Sequence, residues 1–246
     1  MSSMRKTAVL FEYTSGNSSV TTAEVLSTVK TMLFTTFTTR DSFNLIFSQA
    51  NVKRASERWL PADSATVDSV FSALGPNPIA SYSNLPSLLA NGIDFVKDNG
   101  NTGDLMLMSN SDQFGGSASA NQLVDDLRDI MTEVIPVHVI DYQTTNFSWN
   151  WIGGRYYYGN EYFYTNITRL TGGNYSSMRT LSPYSPFTPF STIVPTAFQA
   201  IGGFISSFDL YTRVQNGFCY SRINLGGLGG VVYLDRPILQ TGRYYG

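Results

Sequence analysis

Through its first three quarters the chain alternates short apolar runs of strand length with longer stretches that are apolar at helical spacing. That alternation restricts it to a parallel sheet with helices packed on its faces. Residues 7–13 read as the first strand, mostly apolar, as a strand covered on both faces must be. Residues 21–37 follow as a helix with Val25, Val29, Met32 and Leu33 on one face. Residues 43–47 give a second strand, and 51–60 predict a short edge strand. Asp63 or Ser64 then caps a helix reaching Leu74, and residues 84–97 carry Leu85, Leu88, Leu89 and Ile93 at helical spacing. Further strands are predicted at 104–108, 135–140 and 174–178. Helices are predicted at 120–131 and 163–170, the latter closed by Gly172 and Gly173. The fold class is α/β: a doubly wound, mostly parallel sheet flanked by helices.

Residues 141–164 form a long loop containing Trp149, Trp151, Tyr156, Tyr157 and Tyr158, too aromatic for a linker and predicted to fold as a hairpin. Its rings make it the expected protein-contact surface. Pro183, Pro186 and Pro189 mark a change of organisation. Residues 1–180 are therefore read as the α/β domain and 181–190 as a Pro-rich linker. Residues 191–246 are read as an amphipathic helix plus a small β unit. The helix is expected over 192–207 with Pro195 in its first turn, and the strands at 209–214, 218–223, 231–234 and 238–244.

Charged residues make up 14% of the chain, against roughly 25% in ordinary soluble domains, and Ser, Thr, Asn, Gly and Tyr fill the difference. This weakly charged, aromatic composition points to an extracellular or cell-surface protein. No signal-type apolar core follows Met1 to Lys6, so a leader is expected to be absent from this chain. A net charge of -2 provides no basic patch, which argues against nucleic acid as a partner. Every apolar run is broken well short of the ~20 residues of a membrane span. Cys219, the single cysteine, allows neither an internal disulfide nor a cysteine-built zinc site. His138 is the single histidine and sits within a predicted core strand, a poor place for a Ser-His-Asp hydrolase. Neither a metalloprotease helix motif nor a phosphate-binding glycine loop occurs, and Gly226, Gly227, Gly229 and Gly230 read as a hairpin turn. The expected class is non-enzymatic.

Leu10 to Asn17 (LFEYTSGN), Asp41 to Phe47 (DSFNLIF) and Leu105 to Asp112 (LMLMSNSD) are separated words that together resemble a von Willebrand factor type A domain of the inter-alpha-trypsin-inhibitor heavy-chain kind. Leu10 to Asn17 (LFEYTSGN) stands where those domains end a strand in D-x-S-x-S. Asp41 to Phe47 resembles their second strand, and Trp59-Leu60-Pro61-Ala62 the stretch after it. Ser83-Asn84-Leu85 stands at their T-N-L turn, and Leu105 to Asp112 (LMLMSNSD) at their strand ending in an aspartate. Leu170 to Tyr175 is similar to their closing T-G-G-x-Y, and Gly242-Arg243-Tyr244 to the "GRY" entry of a following sheet.

The resemblance implies a metal-ion-dependent adhesion site that has degenerated here. By position, Tyr13 replaces the first aspartate and Asn110 the second, while Ser15, Asn17 and Ser83 take the hydroxyl positions and Asp112 lies close by. Both anchoring charges are lost, and hydroxyls and amides alone hold a divalent ion poorly. Glu12, one residue before Tyr13, is expected to point away from the site by strand alternation. The favoured reading is a metal-independent adhesion or assembly module that contacts a protein partner or itself and needs no cofactor. The alternative is a Mg2+-dependent module in which Ser15, Asn17, Ser83 and Asp112 bind the ion with a partner's carboxylate; a hydrolase using His138 ranks third. Asn17, Asn146, Asn166 and Asn174 each begin an N-x-S/T sequence and are candidate glycosylation sites.

Overall fold

A computed structural model describes residues 4–75, 78–112, 122, 125, 135–146, 148–179, 187–202, 208–215, 218–225 and 231–234. Its central sheet follows the predicted alternation. The strands are β1 (Lys6–Glu12), β2 (Ser42–Phe47), β3 (Lys53–Arg54), β4 (Leu60–Pro61), β5 (Asp104–Ser109), β6 (Val137–Asp141) and, after a hairpin described below, β9 (Tyr175–Ser177). They run in the order β3-β2-β1-β5-β6-β9, with β4 also on β2. The β2-β1-β5-β6-β9 pairings are all parallel.

Residues 51–60 do not form the single edge strand expected of them. β3 and β4 are two short pieces, both antiparallel to β2. The intervening chain is turned inward by Arg54, whose Nε donates to Asn91 Oδ1 at 2.6 Å and whose Nη2 donates to the Asn91 carbonyl at 3.1 Å. Pro61, lacking an N–H, cannot extend the ladder.

Alternation along β1 sorts the core into two layers. Val9 and Phe11 join the layer containing Val25, Val29 and Leu33 of helix α1 (Thr22–Thr36). Ala8 and Leu10 join the layer containing Leu85, Leu88, Leu89 and Ile93 of helix α3 (Leu85–Asp98). Helix α2 (Ser64–Ala73) adds Val67 to the first layer, and helix α4 (Glu161–Thr171) adds Phe163, Tyr164 and Ile167 to the second. The expected cap is Asp63, which accepts the Thr66 N–H, and Thr21 and Asn84 cap α1 and α3 in the same way by accepting the Glu24 and Ser87 N–H. Of the helix predicted at 120–131, Gln122 and Asp125 are helical and the other residues lie outside those described.

Helix α5 (Phe190–Gly202) belongs to the first compact unit, which extends through Gly202, and not to the segment after the prolines to which the sequence reading assigned it. Its Phe190, Val194 and Phe198 are buried in the α1 layer. Phe198 lies 6.2 Å from the Phe37 ring, and Phe190 meets Tyr142 edge-on at 5.6 Å. Pro195 therefore sits inside the helix instead of in its first turn. Residues 203–246 form a second unit, an antiparallel meander of β10 (Phe208–Gln215), β11 (Phe218–Leu225) and β12 (Val231–Leu234). The strand expected at 238–244 and residues 181–186 of the expected linker lie outside the described residues.

His138 has a structural task in β6. Its Nδ1 accepts the Asn174 N–H at 3.1 Å, fixing the turn that leads from α4 into β9. At Gly173 in that turn, a Cβ would lie 1.9 Å from the Val137 carbonyl oxygen, so only glycine fits. Burial pushes the His138 imidazole down to about 4. Because the folded value lies below the unfolded one, the stabilisation is present above about pH 6.5 and is lost as pH falls toward 4, amounting to about 3 kcal/mol. His138→Gln retains an acceptor for the Asn174 N–H but does not titrate. Urea unfolding at about pH 7 and about pH 4.5 should therefore show the wild type losing more stability than the variant, by about 2 kcal/mol or more; equal losses would contradict the assignment.

Candidate functional site

The parallel strands bring the carboxyl ends of β1, β5 and β6 to one edge, where ligands collect in sheets of this kind. Glu12 closes β1 there, in register with Ser109 of β5. Its Oε2 accepts the Ser109 hydroxyl at 2.5 Å, and its Oε1 accepts the hydroxyl of Ser83, which lies just before α3. The Ser83 and Ser111 hydroxyl oxygens are 2.9 Å apart. Tyr164 of α4 donates its hydroxyl to Ser109 Oγ at 2.7 Å and receives Asn160 Nδ2 at 3.2 Å. Tyr142, after β6, donates to the Glu12 carbonyl at 2.9 Å. Glu12 is completely buried. Burial pushes its carboxyl group up from the usual carboxylate range, against hydrogen bonds from Ser109, Ser83 and Ser111 that pull it down.

The expectation that Glu12 points away from the site is overturned. The alternation was sound, but its reference point was misplaced. Tyr13 continues the Val9-Phe11 face and packs against the α1 layer. Glu12 continues the Ala8-Leu10 face, on the side where Ser83 leads into α3.

Of the residues expected to form the site, Ser83 alone contacts the Glu12 carboxyl group. Asn110 clasps Thr14, accepting its N–H at 2.7 Å and donating to its carbonyl at 3.0 Å. Asn17 is buried and donates to the Asn110 carbonyl at 3.2 Å. Ser15 is exposed, and its N–H donates to Ser81 Oγ at 3.0 Å. The Asp112 carboxylate accepts both the N–H and the hydroxyl of Ser148, each at 2.8 Å.

The aromatic loop is the predicted hairpin, formed by β7 (Trp149–Ile152) and β8 (Arg155–Tyr158) around Gly153 and Gly154, whose φ values are +57° and +90°. One face presents Trp149, Trp151 and Tyr156, exposed by 63, 61 and 49%. Tyr156 stands edge-on to both, with centroids 5.3 Å from Trp149 and 4.6 Å from Trp151. Tyr157 and Tyr158 are half-buried, Tyr157 packing edge-on against Tyr162 of α4 at 5.0 Å. The base of the hairpin is pinned by Asp112 at Ser148 and by the Tyr158 N–H to Glu161 Oε2 at 3.1 Å, and its turn end by an Arg155–Glu161 ion pair. Among the candidate glycosylation sites, Asn17 is buried, while Asn146 and Asn166 donate to the Gly16 and Tyr162 carbonyls at 2.8 and 2.9 Å; Asn174 is exposed.

No protein-family model and no curated protein matches the chain. Solved structures do. A D319A mutant of the PilB minor pilin from Streptococcus sanguinis superposes with a TM-score of 0.55 at 12% identity, over 82% of this chain and 61% of the pilin. A von Willebrand factor type A protein from Catenulispora acidiphila superposes with 0.52 at 10% identity, over 85% of this chain and 44% of that one. An aerotolerance-related membrane protein from Bacteroides fragilis superposes with 0.50 at 13% identity, over 82% of this chain and 98% of that one. The chain has a von Willebrand factor A-like fold. It spans less than two thirds of the first two of these relatives, and at such identities the likeness establishes the fold alone.

The residues at this von Willebrand-like edge fit a divalent cation poorly. The Thr14 hydroxyl, buried and without a hydrogen-bond partner, is the feature that favours an ion. Against it, Glu12 is the one carboxylate in the cluster, and both of its oxygens already accept hydroxyls. Among the described residues no three His, Cys, Asp or Glu side chains come together. Ions of this type draw their affinity from carboxylate charge and from a site that admits water, and this cluster is closed.

A second polar cluster lies beyond β6. Asp141 pairs with Arg179 and accepts the Tyr175 hydroxyl at 2.9 Å and the Gln143 N–H at 3.1 Å, while Arg179 Nη1 donates to Gln143 Oε1 at 3.1 Å. Burial pushes the Asp141 carboxyl group up, and the Arg179 guanidinium pulls it back. Removing one partner would strand the other. Arg179→Ala is expected to cost about 3–5 kcal/mol in urea unfolding, whereas an exposed pair such as Lys30–Asp68 should be worth less than about 1 kcal/mol. A loss as small as that for Arg179 would show that the pair does not hold the β6–β9 end together.

Proposed function

We propose that the chain is a non-enzymatic module for protein–protein adhesion or structural assembly, acting outside the cell or at its surface and without a metal ion. The observation that carries this reading is the hairpin, a pinned β-ribbon that holds two tryptophans and a tyrosine in solvent on one face. Trp and Tyr supply most of the strong contacts in protein interfaces, and a ribbon already fixed at its base loses little freedom on docking. A minor pilin built on the same fold supports an assembly role. Two groups of catalytic residue type are enclosed: His138 is buried with its Nδ1 engaged, and Glu12 has no access to solvent. The low charge of the chain favours an extracellular setting. The Thr14 hydroxyl favours a second reading, a Mg2+-dependent adhesion module completed by a partner's carboxylate.

Sedimentation velocity of the full chain over a concentration range tests the first reading. Self-association should weaken about tenfold or more in the Trp149→Ala/Trp151→Ala double variant, with little change in melting temperature because both rings are exposed. It should be indifferent to EDTA. A monomer at every concentration, or association that the double variant leaves intact, contradicts the assembly form of the proposal. Association abolished by EDTA and restored by magnesium supports the second reading.

A further inference from the structure

We propose that the Glu12 carboxyl group takes over the structural role of an ion at this edge, tying the segment before α3 to the ends of β1 and β5 through hydroxyl groups alone. This deepens the metal-independent reading and rests on it. Two features of the geometry carry it. First, the carboxyl group bridges separate parts of the chain: Oε1 takes Ser83 from the segment before α3, and Oε2 takes Ser109 from β5. Second, the ring is extended without a charged partner. Ser111, from the loop after β5, lies 2.9 Å from the Ser83 hydroxyl, and Tyr164 brings in α4 through Ser109. Tyr142 fixes the backbone of the same residue from the far side, through the Glu12 carbonyl.

The surroundings agree with such a latch. A fully buried carboxyl group is tolerated where hydrogen bonds satisfy its oxygens, and both oxygens of Glu12 are engaged. Burial favours its neutral form. Three of the side chains that the resemblance would assign to an ion are committed elsewhere: Asn110 to Thr14, Asn17 to the Asn110 carbonyl, Asp112 to Ser148.

Thermal unfolding of the full chain tests this, with magnesium chloride and manganese chloride as the probes and EDTA as the control. The wild-type melting temperature should be the same in all three. Glu12→Ala should lower it by roughly 5 °C or more, with no recovery in either metal. Glu12→Gln, which keeps the length and one acceptor oxygen but turns the other into an NH2 donor, should melt between Glu12→Ala and the wild type. Ser83→Ala removes one donor but leaves the carboxyl group in place, so it keeps the test readable if Glu12→Ala accumulates too little folded protein. It should fall by roughly 2–4 °C, again without a response to metal. A rise of several degrees in the wild type with magnesium or manganese, lost in Glu12→Gln, overturns the proposal, as does a Glu12→Ala protein that melts with the wild type. The readout is stability and not association, so failure of the hairpin contact leaves this result standing.

Discussion

β1 lies between β2 and β5 with helices on both sides, so neither of its faces meets water until the strand ends. A side chain along it is apolar or calls for a partner from within, and Thr7, whose buried hydroxyl has no hydrogen-bond partner, is the exception. From Ala8 to Phe11 the apolar side chains divide between the two layers, and at Glu12 the strand places a carboxyl group. The α3-side layer admits it because small hydroxyl residues surround it: Ser83, Ser109 and Ser111 have almost no side-chain bulk and can each turn a hydroxyl toward it. Larger residues at those positions would exclude the carboxyl group, and apolar ones would leave it unsatisfied at a cost of several kcal/mol. The order of the edge loops therefore depends on one buried acid and the serines around it.

The function proposed for the chain separates two tasks that one site would otherwise combine. The buried cluster holds the edge, and contact is left to the hairpin, whose anchors are Asp112 at Ser148 and Glu161 at Tyr158. In this arrangement the charged groups near the edge, Asp112 and the Asp141–Arg179 pair, fix loops and strand ends. The tryptophans of β7 and Tyr156 of β8 remain in solvent as one cluster of rings.

The parts of the fold legible in the sequence are those in which period and cap agree. Helices α1, α2 and α3 begin after the residues whose side chains mark them, and the parallel strands fall within a residue or two of their apolar runs. The hairpin was legible from its aromatic pairs and double glycine. Residues 51–60 were not, because the turn of the chain there is set by Arg54 reaching Asn91, a contact between residues 37 apart. Helix α5 was misplaced because the prolines before it end regular structure locally, whereas its membership is decided by Phe190 and Phe198 finding Tyr142 and Phe37. At the site, counting along a motif selected Tyr13, and the strand alternation that could have singled out Glu12 needed one further fact: which layer Ser83 belongs to. That is a property of the tertiary fold, carried by no local pattern.

The claim that a carboxyl group and not an ion organises this edge is tested most directly by diffraction from crystals of the full chain grown with manganese, using data collected at the manganese absorption edge. The account predicts no anomalous peak among Glu12, Thr14, Ser83 and Ser109, with the Ser83 and Ser109 hydroxyls in direct contact with the Glu12 carboxyl oxygens. A peak there, with those hydroxyls turned from Glu12 toward the metal, would contradict it.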